Sequence, residues 1–310
     1  MLEAINLTKT YKSTPAVKGV NLYLEKGETV GLLGPNGAGK STTISMLSSL
    51  IHPTAGEVLL KGESIKGQPQ HLRAILGVVP QDIAVFPDLT ARENMLFFGK
   101  VYKLPKKDLK NRIEEVLKLV GLEQQHKKQV KTFSGGMKRR LNIAVALLHE
   151  PEILIMDEPT VGIDPQSRSY ILETVKKLNE EKGVTVLYTS HYMEEVEFLC
   201  KRLYIMDRGE VIASGTKEEV KNILSSEHTI EVEMEVAKDE FLQRLQTHPA
   251  ISTATILDKK VVLMAPKEIN LLEDVFAAAK QSGTVLKGIQ IMAPSLEDVF
   301  LHLTGRTLRD

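Results

Sequence analysis

Two short apolar runs without alternation mark the centre of a predicted sheet. They occupy residues 153–156 and 184–188, and continuous runs of this length are typical of strands buried on both faces of a sheet. A helical pattern over about 166–181 lies between them. The three segments together predict a βαβ unit, which indicates an α/β fold.

The remainder of the first 224 residues is predicted to contain further strands and then helices. Residues 3–7 and 17–24 partly alternate between apolar and polar positions, as half-buried strands do. Three helical patterns follow, at about 90–102, 108–119 and 135–149. The last has a predicted apolar face formed by Leu141, Ala144, Val145 and Leu148. We expect one domain over 1–224, with a helical subdomain at about 82–150.

The pattern changes after about residue 225, and a second, smaller domain is expected over 228–305. Its predicted order is βαββαβ followed by a helix, which is the order of the ferredoxin-like motif. The elements are strand 228–236, helix 238–247, strands 251–257 and 260–265, helix 268–281, strand 284–292 and helix 295–304. Residues 225–227 are the predicted linker.

A glycine-rich loop after the apolar run 29–33 is the strongest chemical signal. It matches the phosphate-binding consensus at every defined position, and it has the strand–loop–helix context that the motif requires. Lys40 would reach the β- and γ-phosphates of a nucleotide, and the Ser41 hydroxyl would hold Mg²⁺. The residues predicted to bind a nucleoside triphosphate are Gly34, Pro35, Asn36, Gly37, Ala38, Gly39, Lys40, Ser41 and Thr42.

Two carboxylates follow the buried run at 153–156. Asp157 is a candidate Mg²⁺ ligand, and Glu158 is the candidate general base that polarises the attacking water. A second anion site is predicted at residue 134, because Ser134 is well placed as a helix N-cap and Gly135 and Gly136 leave the backbone bare.

Over residues 1 to about 220 the chain resembles the nucleotide-binding subunit of an ATP-binding cassette (ABC) transporter, a P-loop NTPase. The phosphate loop, the signature at 133–137 and the Asp157–Glu158 pair occur in that family's order. The resemblance implies ATP and Mg²⁺ as cofactors. It also adds four site residues: Tyr11 stacking on adenine, Gln81 touching Mg²⁺, Asp164 in the D-loop and His191 as the switch histidine on the γ-phosphate.

The resemblance further implies a head-to-tail pair of nucleotide domains. Each ATP would lie between the phosphate loop of one subunit and residues 134–136 of the other, because neither half alone surrounds the γ-phosphate with donors. ATP would then hold the interface together, and hydrolysis would release it. One chain carries both a phosphate loop and a signature segment, so a two-fold homodimer is the simplest assembly. A heterodimer is left open.

Two departures from the usual signature indicate a branch of the family. Phe133 replaces leucine and Met137 replaces glutamine, which resembles subunits that serve ABC-2-type exporters of the daunorubicin-resistance kind. Residues 295–305 are similar to the tail of that group. We expect an ATPase that powers a transmembrane permease, with Phe86 and Pro87 as contacts for a short helix of that partner.

Composition limits the other possibilities. The 310 residues contain 40 Lys plus Arg and 40 Asp plus Glu, a balance that does not favour nucleic acid. Residues 100–140 contain thirteen basic and four acidic residues. This excess of positive charge indicates either a solvated helical surface or a surface near anionic lipid or the acidic loops of a partner. One cysteine excludes a disulfide framework, and no apolar run is long enough to span a membrane. The sequence predicts a cytoplasmic protein, peripheral at the membrane through its permease.

Two other classes of function stay open. A soluble ABC ATPase of translation or DNA repair usually has two cassettes or a long coiled-coil insertion, and this sequence shows one cassette without heptads. A sequestering immunity protein would bind an antibiotic without turnover, which Glu158 argues against. The smaller domain could sense a ligand or stabilise a dimer, and the second role is favoured. The sequence does not identify the transported substrate.

Overall fold

The computed structural model describes residues 1–190, 192–224, 226–236, 238–292 and 294–305. The chain forms two compact units, one over Met1–Lys217 and one that begins at Glu218. Each unit has its own apolar core.

The first unit contains two sheets and seven described helices. Its strands are β1 (Leu2–Tyr11), β2 (Thr14–Leu24), β3 (Thr29–Leu33), β4 (Ala55–Leu60), β5 (Glu63–Ser64), β6 (Leu76–Val79), β7 (Ile153–Met156), β8 (Thr185–Thr189), β9 (Arg202–Asp207) and β10 (Glu210–Thr216). Its helices are α1 (Lys40–Leu47), α2 (Pro69–Ile75), α3 (Ala91–Val101), α4 (Lys106–Leu119), α5 (Gly135–Leu147), α6 (Pro165–Lys182) and α7 (Met193–Leu199).

The central sheet has the order β10-β9-β3-β8-β7-β6 and is parallel from β9 to β6. Every residue of β3, β7 and β8 is buried. The predicted βαβ unit is confirmed, since β7 and β8 pair in parallel and α6 connects them. A separate antiparallel sheet has the order β2-β1-β4-β5.

This topology brings distant segments of the sequence to one edge of the central sheet. Because parallel strands share their carboxyl edge, the segments that follow β3, β6, β7 and β8 all lie there. These segments contain the phosphate loop, Gln81, the Asp157–Glu158 pair and Ser190.

Helices α3, α4 and α5 pack on one another, and α5 differs from its prediction in one respect. The predicted apolar face of α5 is buried, but Ile143, Ala146 and Leu147 outside that face are also buried. The reason is that α5 contacts α6 and β6 in addition to α3 and α4. It is an interior helix, not an amphipathic surface helix.

The smaller unit has the predicted ferredoxin-like topology. Helix α8 (Lys217–Lys221) lies at the boundary, and the elements that follow are β11 (Glu227–Met234), α9 (Asp239–Gln246), β12 (Thr253–Leu257), β13 (Lys260–Pro266), α10 (Leu272–Ser282), β14 (Leu286–Met292) and α11 (Leu296–Thr304). The sheet is antiparallel in the order β12-β13-β11-β14. Phe241 of α9 and Val275 of α10 pack in one core with Val232 of β11.

Candidate nucleotide-binding site

The glycine-rich loop between β3 and α1 is braced by neighbouring backbone. A Cβ at Gly34 would lie 2.4 Å from the carbonyl oxygen of Met206, and a Cβ at Gly39 would lie 2.7 Å from that of Ala16. Gly39 also has φ 101°, which side chains rarely tolerate. The N–H of Gly209 donates to Ala38 O at 3.0 Å and ties the loop to the turn between β9 and β10.

The ammonium group of Lys40 lies across this loop. Its Nζ donates to Gly34 O at 2.6 Å and to Pro35 O at 3.3 Å, and it lies 3.8 Å from Oε1 of Glu158. Burial lowers the pKa of Lys40, while the carboxylates of Glu158 and Asp157 act in the opposite direction. A desolvated cation beside a glycine-rich backbone suits an anionic ligand.

The hydroxyl of Thr189, at the end of β8, orders the two carboxylates that follow β7. It donates to Oδ1 of Asp157 at 2.9 Å and accepts from the backbone N–H of Glu158 at 2.8 Å. Glu158 has φ 47°, in the left-handed region. Burial raises the pKa of Asp157, and hydrogen bonds with Thr189 and Ser41 oppose that rise. A cation bound at Asp157 would offset the free-energy cost of burying the charged carboxylate.

Gln81 brings a third segment to the same place. Its Nε2 donates to Oε2 of Glu158 at 2.9 Å. A cavity of about 330 Å³ is lined by Ala16, Asn36, Gly37, Ala38, Gly39, Lys40, Ser41, Thr42, Gln81 and Glu158, and Asp157 is not among these lining residues. The structure thus brings together most of the predicted phosphate-loop residues with Gln81 and the candidate base.

The two glycines of the signature have different surroundings, although the sequence suggested one role for both. Ser134 caps α5, and its Oγ accepts from Met137 N at 3.2 Å. Among the described residues, a Cβ at Gly135 would meet no atom within 4 Å, whereas one at Gly136 would lie 2.0 Å from Oγ of Ser167. Gly136 therefore permits α5 to pack against α6, and Gly135 is the open position. As far as the structure describes the chain, neither lines the cavity.

The remaining predicted site residues lie outside the cavity lining or outside the described chain. Asp164 caps α6 and accepts from Ser167 N at 2.8 Å, and this hydrogen bond lowers the pKa of Asp164. Tyr11 ends β1 and is 49% exposed, with Nζ of Lys9 5.4 Å from its ring centroid. His191 lies outside the residues that the structure describes.

A buried carboxylate that sequence reasoning missed lies next to the site. Glu195, at the start of α7, is 1% exposed. It accepts hydrogen bonds from four side chains, which belong to Thr160, Arg168, Tyr188 and Ser190. It thereby joins the segment after Glu158, the start of α6 and the end of β8. The only available sequence signal was an acidic residue on a short helix, which has no specific meaning.

The residues present fit ATP with Mg²⁺. The glycine-rich loop lies beside the buried ammonium group of Lys40, and such a loop suits the phosphates of a nucleotide. In the described chain no group of three or more His, Cys, Asp or Glu could hold a metal. A magnesium ion would therefore rely on Ser41 and Gln81 as well as Asp157, and Mg²⁺ is commonly held by few protein oxygens and the substrate phosphates.

Comparisons with known proteins identify the family of this chain. The family model for ABC transporters matches residues 17–161. The linearmycin resistance ATP-binding protein LnrL of Bacillus subtilis (strain 168) is 48% identical over 312 residues, which cover 100% of both chains. The Nod factor export ATP-binding protein I of Cupriavidus metallidurans is 38% identical over 312 residues, covering 100% of this chain and 99% of that protein.

A solved structure shows the same fold. It is a dimeric, post-hydrolysis ATP-binding cassette bound to ADP and Pi, with 33% identity and a TM-score of 0.64, and the match covers 70% of this chain and 98% of that one. Fold and site together define an ATP-binding cassette ATPase. The chain belongs to the ABC transporter family, as an ATP-binding subunit. None of its described helices is long and apolar enough to cross a membrane.

Proposed function

We propose that this ATPase powers an ABC-2-type exporter and acts as a head-to-tail homodimer. The observation that supports the dimer is that the start of α5 lies outside the cavity lining, and we call the cavity and the start of α5 the two half-sites. The cavity contains the phosphate loop, Gln81 and Glu158, while Ser134 and the open Gly135 are exposed at the start of α5. A second copy would bring its Ser134 and Gly135 to the γ-phosphate and complete the set of donors. The relatives named for resistance and export support the direction of transport.

The roles proposed for the residues follow from their contacts. Lys40 exchanges the carbonyls of its own loop for phosphate oxygens. Ser41, Gln81 and Asp157 would hold Mg²⁺, which would supply positive charge next to the phosphates. Glu158 accepts the proton of the attacking water, and the hydroxyl of Thr189 holds the backbone of Glu158 in place.

Three further roles rest on the family resemblance. Tyr11 stacks on adenine, Asp164 lies at the interface between the two copies, and His191 contacts the γ-phosphate. We assign the cassette to 1–224, with its helical subdomain at about 82–150, and a dimer-stabilising domain to 228–305.

An aromatic patch, formed by Phe86, Phe97 and Phe98, is the proposed contact for the permease. The ring centroid of Phe86 lies 4.8 Å from that of Phe97 and 6.0 Å from that of Phe98, and Phe86 is 43% exposed. Buried Asn94 holds the backbone of Phe86 through both its N–H and its carbonyl. A rigid, partly exposed apolar patch suits an amphipathic helix of a partner. This contact would place the protein at the cytoplasmic face of the membrane.

A pull-down from detergent-solubilised native membranes tests the proposal. The bait is the Glu158→Gln variant with ATP, and the same bait without nucleotide is the control. A polytopic membrane protein that co-purifies in an ATP-dependent manner is the expected result. Recovery of ribosomes or DNA, or of no partner despite a stable ATP-bound dimer, would contradict the exporter assignment.

A further inference from the structure

Arg139 connects the signature helix to the segment that carries Gln81. It lies on α5, five residues after Ser134, and is 4% exposed. Its guanidinium donates to the carbonyl oxygen of Pro80 at 2.7 Å and to that of Gln81. Both bonds are charge-assisted, which makes them stronger than bonds between neutral groups.

Asn142 holds the same segment one helical turn further on. Its Oδ1 accepts from the backbone N–H of Ala84 at 3.2 Å, and its Nδ2 donates to Asp82 O at 3.5 Å. Residues three apart lie on one face of a helix. One face of α5 therefore grips residues 80–84 at both ends, and we call this contact set the α5 clamp.

The α5 clamp lies between the two half-sites of the proposed dimer. At one end, Ser134 and Gly135 begin α5. At the other, the backbone of Gln81 is held by Arg139 while its side chain donates to Glu158 at 2.9 Å. A helix is stiff over two turns, so a displacement of its first turn moves the groups that hold Gln81.

We propose that Arg139 and Asn142 are positioning residues that couple the two ATP sites of the dimer. When Ser134 and Gly135 of one copy engage the ATP held by the other copy, the α5 clamp shifts Gln81 in the first copy toward its own Mg²⁺. This inference rests on the proposed head-to-tail dimer. It adds a physical route by which occupation of one site is sensed at the other.

The neighbouring residue Arg140 offers a matched control. It lies on the same helix and also donates to two backbone carbonyls, those of Val120 at 3.0 Å and Gly121 at 3.2 Å. Its guanidinium lies 5.0 Å from the ring centroid of Tyr170. Arg140 thus attaches α5 to the end of α4, and the Gln81 segment is held by Arg139.

The test compares Arg139→Met with Arg140→Met in the Glu158→Gln background. Two quantities are measured: the Mg²⁺ concentration for half-maximal ATP-dependent dimerisation, and amide hydrogen exchange of residues 80–86 with and without ATP. For Arg139→Met we expect the Mg²⁺ midpoint to rise roughly tenfold, as for other residues that orient a metal ligand. We also expect the ATP-dependent protection of residues 80–86 to be lost. The Arg140→Met variant should keep both properties.

Two additional variants distinguish loss of the α5 clamp from misfolding of the Arg139→Met variant. Asn142→Ala removes the other half of the α5 clamp and should shift the Mg²⁺ midpoint in the same direction. Arg139→Lys keeps a positive charge and should restore part of the protection. If Arg139→Met and Asn142→Ala both match Arg140→Met, the coupling is refuted while the dimer stands. If the Glu158→Gln parent does not dimerise with ATP, the proposed function fails, and the coupling fails with it.

Discussion

The side-chain amide of Gln81 donates to the carboxylate of Glu158, with 2.9 Å between Nε2 and Oε2. The other carboxylate oxygen lies 3.8 Å from Nζ of Lys40. Both oxygens of the candidate base are thus held by groups that are themselves candidate ligands of phosphate or Mg²⁺. Binding of ATP with Mg²⁺ would draw Gln81 and Lys40 away from Glu158 and toward the nucleotide.

Replacement of Glu158 by glutamine should stop turnover and preserve binding. Glutamine keeps the shape of the side chain but cannot accept a proton, so phosphate release should fall by about 100-fold or more. ATP should still bind, and the dimer should persist on size-exclusion chromatography. The half-exposed Glu152, which lies 3.6 Å from Nζ of Lys61, is the control position for the same change. Unchanged hydrolysis in Glu158→Gln would remove Glu158 as the base.

The two signature glycines should respond differently to alanine. Gly136→Ala forces a Cβ into the position of Ser167 Oγ, and such overpacking should lower the free energy of unfolding by about 1–3 kcal/mol. Gly135→Ala meets open space and should leave stability almost unchanged while weakening ATP-dependent dimerisation. Denaturant unfolding and chromatography with ATP measure the two effects. Equal loss of stability in both variants would contradict the packing role of Gly136.

The buried carboxylate of Glu195 should contribute more to stability than its exposed neighbour. Glu195→Gln loses charge-assisted bonds from Arg168, Tyr188 and Ser190, and should lower the free energy of unfolding by roughly 2 kcal/mol. Glu194 lies 3.5 Å from the same Arg168 but is 76% exposed, so Glu194→Gln should cost under about 1 kcal/mol. Chemical denaturation of both variants provides the comparison. An equal loss in the free energy of unfolding would show that burial of the Glu195–Arg168 pair does not matter.

Phe86→Asp should disrupt the aromatic patch without affecting nucleotide binding. The change places a charge beside Phe97 and Phe98, and it should reduce recovery of the membrane partner while ATP affinity stays unchanged. Phe276, 57% exposed on α10, is the control for an exposed phenylalanine elsewhere on the chain. Co-purification equal to that of Phe276→Asp would exclude this patch as the docking surface.

The protein should lose stability in mild acid because of His149. Burial lowers the pKa of His149, and the hydrogen bond to Leu76 O acts against that shift. The folded state therefore keeps a neutral imidazole while the unfolded chain takes up a proton near about pH 6.5, so stability falls as the pH falls below that value. His149→Gln should show a smaller loss between about pH 7 and pH 5, measured by urea unfolding.

Local patterns predicted the elements well where burial is uniform or strictly periodic. The predicted helix at 166–181 is α6 (Pro165–Lys182), and its flanking strands are also within one residue of prediction. Helix α10 begins four residues later than predicted, because Oδ1 of Asn270 accepts from Leu272 N and sustains a turn there. The four-residue β6 was not predicted, because Gly77 interrupts its apolar run, whereas the equally short β7 is apolar throughout.

The candidate site was predictable where its chemistry is contained in contiguous motifs. The phosphate loop and the Asp157–Glu158 pair are of this kind, and the structure brings Lys40 and Glu158 to 3.8 Å. The α5 clamp was not predictable, because Arg139 and Gln81 are 58 positions apart and neither has a distinctive local pattern. The packing reason for a glycine at position 136 could not be predicted from the sequence either, since it depends on Ser167 of another helix.

The bracing of the phosphate loop by backbone affects how nucleotide binds. The absence of side chains at Gly34 and Gly39 lets the loop lie close to Met206 O and Ala16 O, and the N–H of Gly209 donates to Ala38 O at 3.0 Å. The conformational entropy of ordering the loop is thus lost during folding and does not have to be lost again when phosphate arrives. The hairpin of β9 and β10 consequently serves as part of the nucleotide receptor through preorganisation, by holding the loop in its binding shape.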